Sequence, residues 1–144
     1  MADISISFDS GVKTLEISDG KGHSVEVSFN PYDVIFLGTI MDAAEKLDEK
    51  QEKLKNITND DWEDVYNTSV TTDKEMREII DGVFGTSICA ELFPKQTVFA
   101  VGSGLPAWAN LLYAVVDKMD EGLEGEKQKA KERIRKYSEK YKRK

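Results

Sequence analysis

Cysteine and histidine are nearly missing from these 144 residues, with one of each. Cys89 alone closes no intrachain disulfide, and a lone thiol suits a reducing compartment. His23 stands in a turn-like stretch with no second His and no Cys near it, so no familiar metal-ligand spacing exists. No apolar run approaches the roughly 18 residues that a membrane span needs. The N-terminus, Met1-Ala2-Asp3-Ile4-Ser5, has neither a basic region nor an apolar stretch and does not read as a secretory signal. The Asn-x-Ser/Thr triplets at Asn56 and Asn67 therefore read as chance.

Positive charge is scarce until the end of the chain. Residues 126–144 hold ten Lys or Arg against three Glu, so +7; the whole chain is −7, which leaves −14 on residues 1–125. An acidic body does not bind phosphates without cations. The charge break predicts two parts: a single acidic α+β domain over residues 1–125 and a basic amphipathic helical arm over residues 126–144.

What is present reads first as strands. Ile4, Ile6 and Phe8 alternate with serines, Val12 to Ile17 follow, and Val25, Val27 and Phe29 alternate with Glu26 and Ser28. Asp19-Gly20-Lys21-Gly22 supplies a hairpin turn. Asn30-Pro31 with Asp33 predicts the start of a helix carrying Phe36, Ile40, Ala43, Ala44, Leu47 and Leu54. The polar stretch 56–72 reads as a loop in which Trp62, Val65 and Tyr66 dock one helical turn. Thr72-Asp73-Lys74-Glu75 reads as a capping box that starts a second helix, ended by Gly85 as a left-handed cap. A short apolar helix around Cys89 stops at Pro94. A third main helix opens after Gly102-Ser103-Gly104-Leu105-Pro106 and breaks at Gly122 and Gly125. The expected fold is α+β, a short antiparallel β-hairpin or three-stranded sheet followed by about four helices, the last being the basic C-terminal arm. The expected core is Ile35, Phe36, Ile40, Met76, Ile80, Phe84, Leu92, Trp108, Leu111, Leu112 and Val115.

Catalytic patterns fail one by one. Cys89 has no base in its flanks and reads as a small buried residue. Gly102-Ser103-Gly104 lacks the Gly-Lys-Ser/Thr of a phosphate loop and the third glycine of a dinucleotide fingerprint, so it reads as a tight turn beside Trp108. Asp60-Asp61 lacks the oxygen spacing of a calcium loop, and Asp117, Asp120 and Glu121 read as the solvated side of a helix. The expectation is a non-enzyme with no cofactor, no metal and no small-molecule substrate.

The arm carries the functional signal. Leu123, Ala130, Ile134, Tyr137 and Tyr141 form a narrow coiled-coil-like stripe on a helix otherwise made of Lys, Arg and Glu. Ile134, Tyr137 and Tyr141, flanked by Lys131 and Arg135, are the candidate partner contacts. The stripe is thin for a membrane surface, which wants Trp, Phe or Leu. A DNA-reading helix wants Asn, Gln or Ser among its basics, and only Gln128 and Ser138 answer. A protein partner or self-association is the reading retained, against a solvated tail.

Three stretches carry a resemblance: Asn30-Pro31-x-Asp33; then Glu78-Ile79-Ile80-Asp81-x-Val83-Phe84-Gly85; then Gly104-Leu105-Pro106-x-Trp108-Ala109-Asn110. Over about residues 25–121 the chain resembles small proteins from the tail-morphogenesis regions of phages and prophages of Gram-positive bacteria. The resemblance implies a tail assembly chaperone that coats the hydrophobic tape-measure protein in the host cytoplasm, without catalytic residues. The initial strands depart from the more helical chaperones. They leave open a tail structural or connector protein, and the arm leaves open a small nucleic-acid-binding regulator.

Overall fold

The computed structural model describes residues 2–55 and 61–140. It is α+β, an antiparallel two-stranded hairpin followed by four helices. Strands β1 (Lys13–Ser18) and β2 (Ser24–Phe29) pair with Leu15 opposite Val27 and Ile17 opposite Val25. The alternation puts those four and Phe29 on the inner face, with Thr14, Glu16, Ser24, Glu26 and Ser28 exposed outside. The turn works through Asp19. Its carboxylate accepts from the Lys21 and His23 amides and contacts His23 Nδ1 at 2.6 Å, while Gly20 and Gly22 take positive φ. The hydrogen bond from His23 holds the Asp19 carboxyl below its ordinary value.

The first expected strand does not form. Residues 4–8 pair with nothing in the described chain, and Ile4, Ile6 and Phe8 are 80%, 86% and 83% exposed. The physical reason is a turn at residues 9–12. Asp9 Oδ1 accepts from Gly11 N, Ser10 Oγ accepts from Val12 N, and Asn30 Nδ2 donates to the Ser10 carbonyl.

Helix α1 (Val34–Lys55) is capped by Asp33 rather than by Asn30. The Asp33 side chain accepts from Ile35 N, and its carbonyl accepts from Leu37 N. Asn30 instead bridges the bend, accepting from Tyr32 N. Phe36, Ile40, Ala43 and Leu47 fix the helix phase. Ile35 shares its side with Thr39, Asp42 and Lys46, so it is 75% exposed and leaves the expected core.

Helix α2 (Trp62–Phe84) begins well before the expected capping box, so the predicted loop over 56–72 is helix from Trp62 onward, and its residues 56–60 lie outside the described residues. Asp61 caps it by accepting from Glu63 N, and Glu63 and Asp64 favour the positive end of the dipole. Trp62 and Tyr66 do not dock; they are 74% and 54% exposed, with ring centroids 5.6 Å apart. The low helix propensity of Asn67, Thr68, Thr71 and Thr72 is overridden by packing on α1. Gly85, at φ 71°, ends the helix as expected.

Helix α3 (Cys89–Leu92) and the hairpin β3 (Val101–Gly102) and β4 (Leu105–Pro106) lead into α4 (Ala107–Lys140). Gly122 and Gly125 do not break α4. Gly122 serves a close approach instead, since a Cβ there would collide with the Tyr32 hydroxyl and ring, whereas one at Gly125 would meet nothing. Alanine adds about 1 kcal/mol of helix propensity over glycine. Gly125→Ala is therefore expected to raise the helicity of α4, and Gly122→Ala to forfeit that gain by displacing Tyr32. Circular-dichroism melts of the pair check it.

The core lies where these elements meet. Ile40, Leu47, Met76, Ile80, Ile88 and Leu112 are essentially fully buried, with Trp108, Leu111, Val115 and Met119 closing it from α4. Phe29, Phe36 and Phe84 join the hairpin to the helices, the first two stacked with centroids 4.2 Å apart.

Candidate partner-binding surface

The half-buried polar residues of α2 serve structure. Asp73, Arg77 and Asp81 lie one turn apart on α2 and hold the connection from Ile88 to Val98. Asp73 accepts from Val98 N at 2.8 Å and from Arg77 Nε at 2.8 Å. The guanidinium donates to the carbonyls of Phe93 and Gln96 at 2.6 Å each, and of Cys89 at 3.3 Å. Asp81 accepts from the amides of Ile88 and Cys89. Asp73 thus serves this clamp from the middle of α2 rather than standing in the first turn of a helix begun at Thr72.

Cys89 is 1% exposed, and burial, then the Asp81 carboxylate, push its thiol well above the ordinary 9.0. Thiolate is the nucleophile, so Cys89 is expected to resist maleimide in the native protein and to react on unfolding. The unfolded thiol ionises as pH passes 9.0 and the folded one does not, so this contribution to stability is complete below pH 9.0 and falls as pH rises above it. Denaturant titrations at neutral and alkaline pH, with Cys89→Ala as control, measure that slope.

Gly102-Ser103-Gly104 makes a two-residue hairpin turn, with Ser103 and Gly104 at φ 55° and 82°. The amides of Ala107 and Trp108, which would face an anion, donate to the carbonyls of Ala100 and Val98 at 2.8 Å. Asn110 Nδ2 donates to the Gly102 carbonyl. The residues behind the resemblance are likewise structural: Asp33 and Gly85 are caps, Asp81 ties down α3, and Trp108 is buried.

Three regions among the described residues offer apolar surface to a partner. The first is a groove of about 410 Å³ between β1 and α4, bordered by Leu15, Ile17 and Phe29 on one side and Leu111, Val115 and Met119 on the other. The second is the exposed row Trp62, Tyr66 and Val70 on α2. The third is the far half of α4.

At 1.5 Å per residue α4 is about 50 Å long. Its buried positions run Trp108, Leu112, Val115 and Met119. The same face continues through Leu123, Ala130, Ile134 and Tyr137 at intervals of four, seven, four and three. Leu123 is 40% exposed and Ile134 66%, so the seam that packs on the body goes on without a partner among the described residues. Lys131 and Arg135 are exposed beside Ile134. The Tyr137 side chain and Tyr141 lie outside the described residues. The Lys129–Glu126 ion pair, at 3.8 Å and exposed, adds little to the helix.

No protein-family model, no curated protein and no solved structure matches this chain.

Proposed function

We propose that this protein is a non-enzymatic tail assembly protein of a phage or prophage, a chaperone that binds the helical tape-measure protein in the bacterial cytoplasm. The observation that carries the reading is the apolar seam of α4, covered by the body up to Met119 and exposed at Leu123 and Ile134. A narrow seam on a helix is a docking face for another helix. The arm's cations favour a client whose polar side is acidic, and the acidic body keeps the loaded complex soluble.

The test is truncation after Gly125, with co-expression of the tape-measure protein. The body is expected to stay folded, since its buried α4 residues precede the cut. The client is expected to turn insoluble without the arm, and added salt to weaken its capture by the intact chain. If truncation leaves client solubility unchanged, the arm is a solvated tail and the reading fails. Retention on heparin that falls steeply with salt, with no client binding, would point instead to the nucleic-acid regulator.

A further inference from the structure

The groove beside β1 has a matching piece in the same sequence. We propose that residues 4–8 of a second copy add as a third strand along the free edge of β1, closing the groove against α4 in a reciprocal, strand-exchanged dimer. This goes beyond the proposed function and does not depend on it.

Three observations carry it. First, the groove is bordered by the consecutive residues Leu15, Glu16, Ile17 and Ser18. Glu16 and Ser18 point to the outer face, so the backbone edge of β1 itself runs along the groove. Among the described residues β1 pairs only with β2, which leaves the amides and carbonyls of its other edge as a template for another strand.

Second, Ile4, Ile6 and Phe8 have the period of a strand with one apolar face, yet all three stand in solvent. Extended at about 3.4 Å per residue they span about 14 Å, comparable to the length of β1. Laid along that edge, they carry on the inner face of Leu15 and Ile17 over Leu111, Val115 and Met119.

Third, the turn at residues 9–12 keeps the segment off its own body. It is fixed by the Asp9–Gly11, Ser10–Val12 and Asn30–Ser10 hydrogen bonds and by Gly11 at φ 85°. A second copy has no such tether. Each segment removes about 400 Å² of side-chain surface from water and covers the smaller lining of the groove, so two exchanges bury about 1,000 Å², the lower end of a specific interface.

The experiment is light scattering of the full chain over a wide concentration range, with Ile6→Asp disabling the segment and Ala114→Arg blocking the groove. Ile6 and Ala114 are both exposed, so both variants are expected to fold, as circular dichroism checks; deletion of residues 1–9 is a second segment variant that touches no core residue. The parent is expected to dimerise, and a carboxylate facing the apolar groove to weaken the dimer about a hundredfold or more. Each substituted protein is expected to be monomeric alone. Mixed, they are expected to associate more weakly than the parent, through the one exchange left intact, because one supplies the groove and the other the segment. A parent that stays monomeric at every concentration overturns the proposal. So does a dimer that survives both Ile6→Asp and the deletion. Truncation after Gly125 is expected to leave this dimer intact, which separates its failure from that of the chaperone reading.

Discussion

Trp108→Ala is expected to lower stability by about 3–5 kcal/mol, the usual cost of emptying a large aromatic site. Trp108 is 5% exposed at the start of α4 and belongs to the cluster that joins this helix to the others. Its indole Nε1 donates to Gln51 Oε1 at 2.6 Å, across to the end of α1. The substitution therefore leaves a cavity and an amide oxygen that has lost its donor. For a domain of this size each kcal/mol moves the melting temperature by about 2–4 °C, so a loss of about 10 °C is expected. Trp108→Phe separates the two contributions. It keeps most of the ring and loses the hydrogen bond, at a cost of about 1–2 kcal/mol. If thermal melts of Trp108→Ala match the parent, Trp108 is not a core residue and the placement of α4 is wrong.

Features set by a few neighbouring residues were legible in the sequence. The hairpin followed from strict alternation and the turn at Asp19. The end of α2 followed from Gly85, and the start of α4 from the turn before Trp108. In the misses one local signal was outvoted, by another nearby or by a distant contact. Thr72-Asp73-Lys74-Glu75 has the form of a capping box, but Asp61 offers an earlier cap and α1 a surface to pack on. Gly122 looks like a helix breaker, yet its missing Cβ makes room for the Tyr32 ring. Residues 4–8 have the pattern of a strand, but the turn at residues 9–12 leads them away and they pair with nothing among the described residues. Ile35 is apolar, but the phase set by Phe36 and Ile40 turns it outward. The seam of α4 was legible as far as its spacing. Its continuity with the buried face became visible only once the helix proved unbroken through both glycines. Arg77 was missed entirely, because a lone arginine on a helix looks like a solvated one. Its signal was the Asp73-Arg77-Asp81 spacing, two carboxylates one turn to either side.

Arg77→Met is expected to cost about 2–3 kcal/mol, allowing for the partial exposure of the site. The side chain of Arg77 is 23% exposed and that of Asp73 17%, so the pair is only partly screened. Removing the guanidinium takes the donor from the carbonyls of Phe93 and Gln96 and leaves Asp73 without its cation. The damage should be local first. The connection from Cys89 to Val98 is held to α2 mainly by this clamp, and Val98, fully buried, is its inner end. Hydrogen exchange at the Val98 amide is therefore expected to accelerate more than exchange in α1. Arg77→Lys keeps the charge but cannot fork, so it is expected to recover less than half of the loss. Asp73→Asn keeps an acceptor for Val98 N and removes only the ion pair, and is expected to cost about 1 kcal/mol. The order of these three variants decides the matter. If Arg77→Lys equals the parent, charge alone suffices and the fork is incidental. If all three equal the parent, the connection is held by its apolar residues, Ile88, Leu92 and Val98, and the clamp contributes nothing.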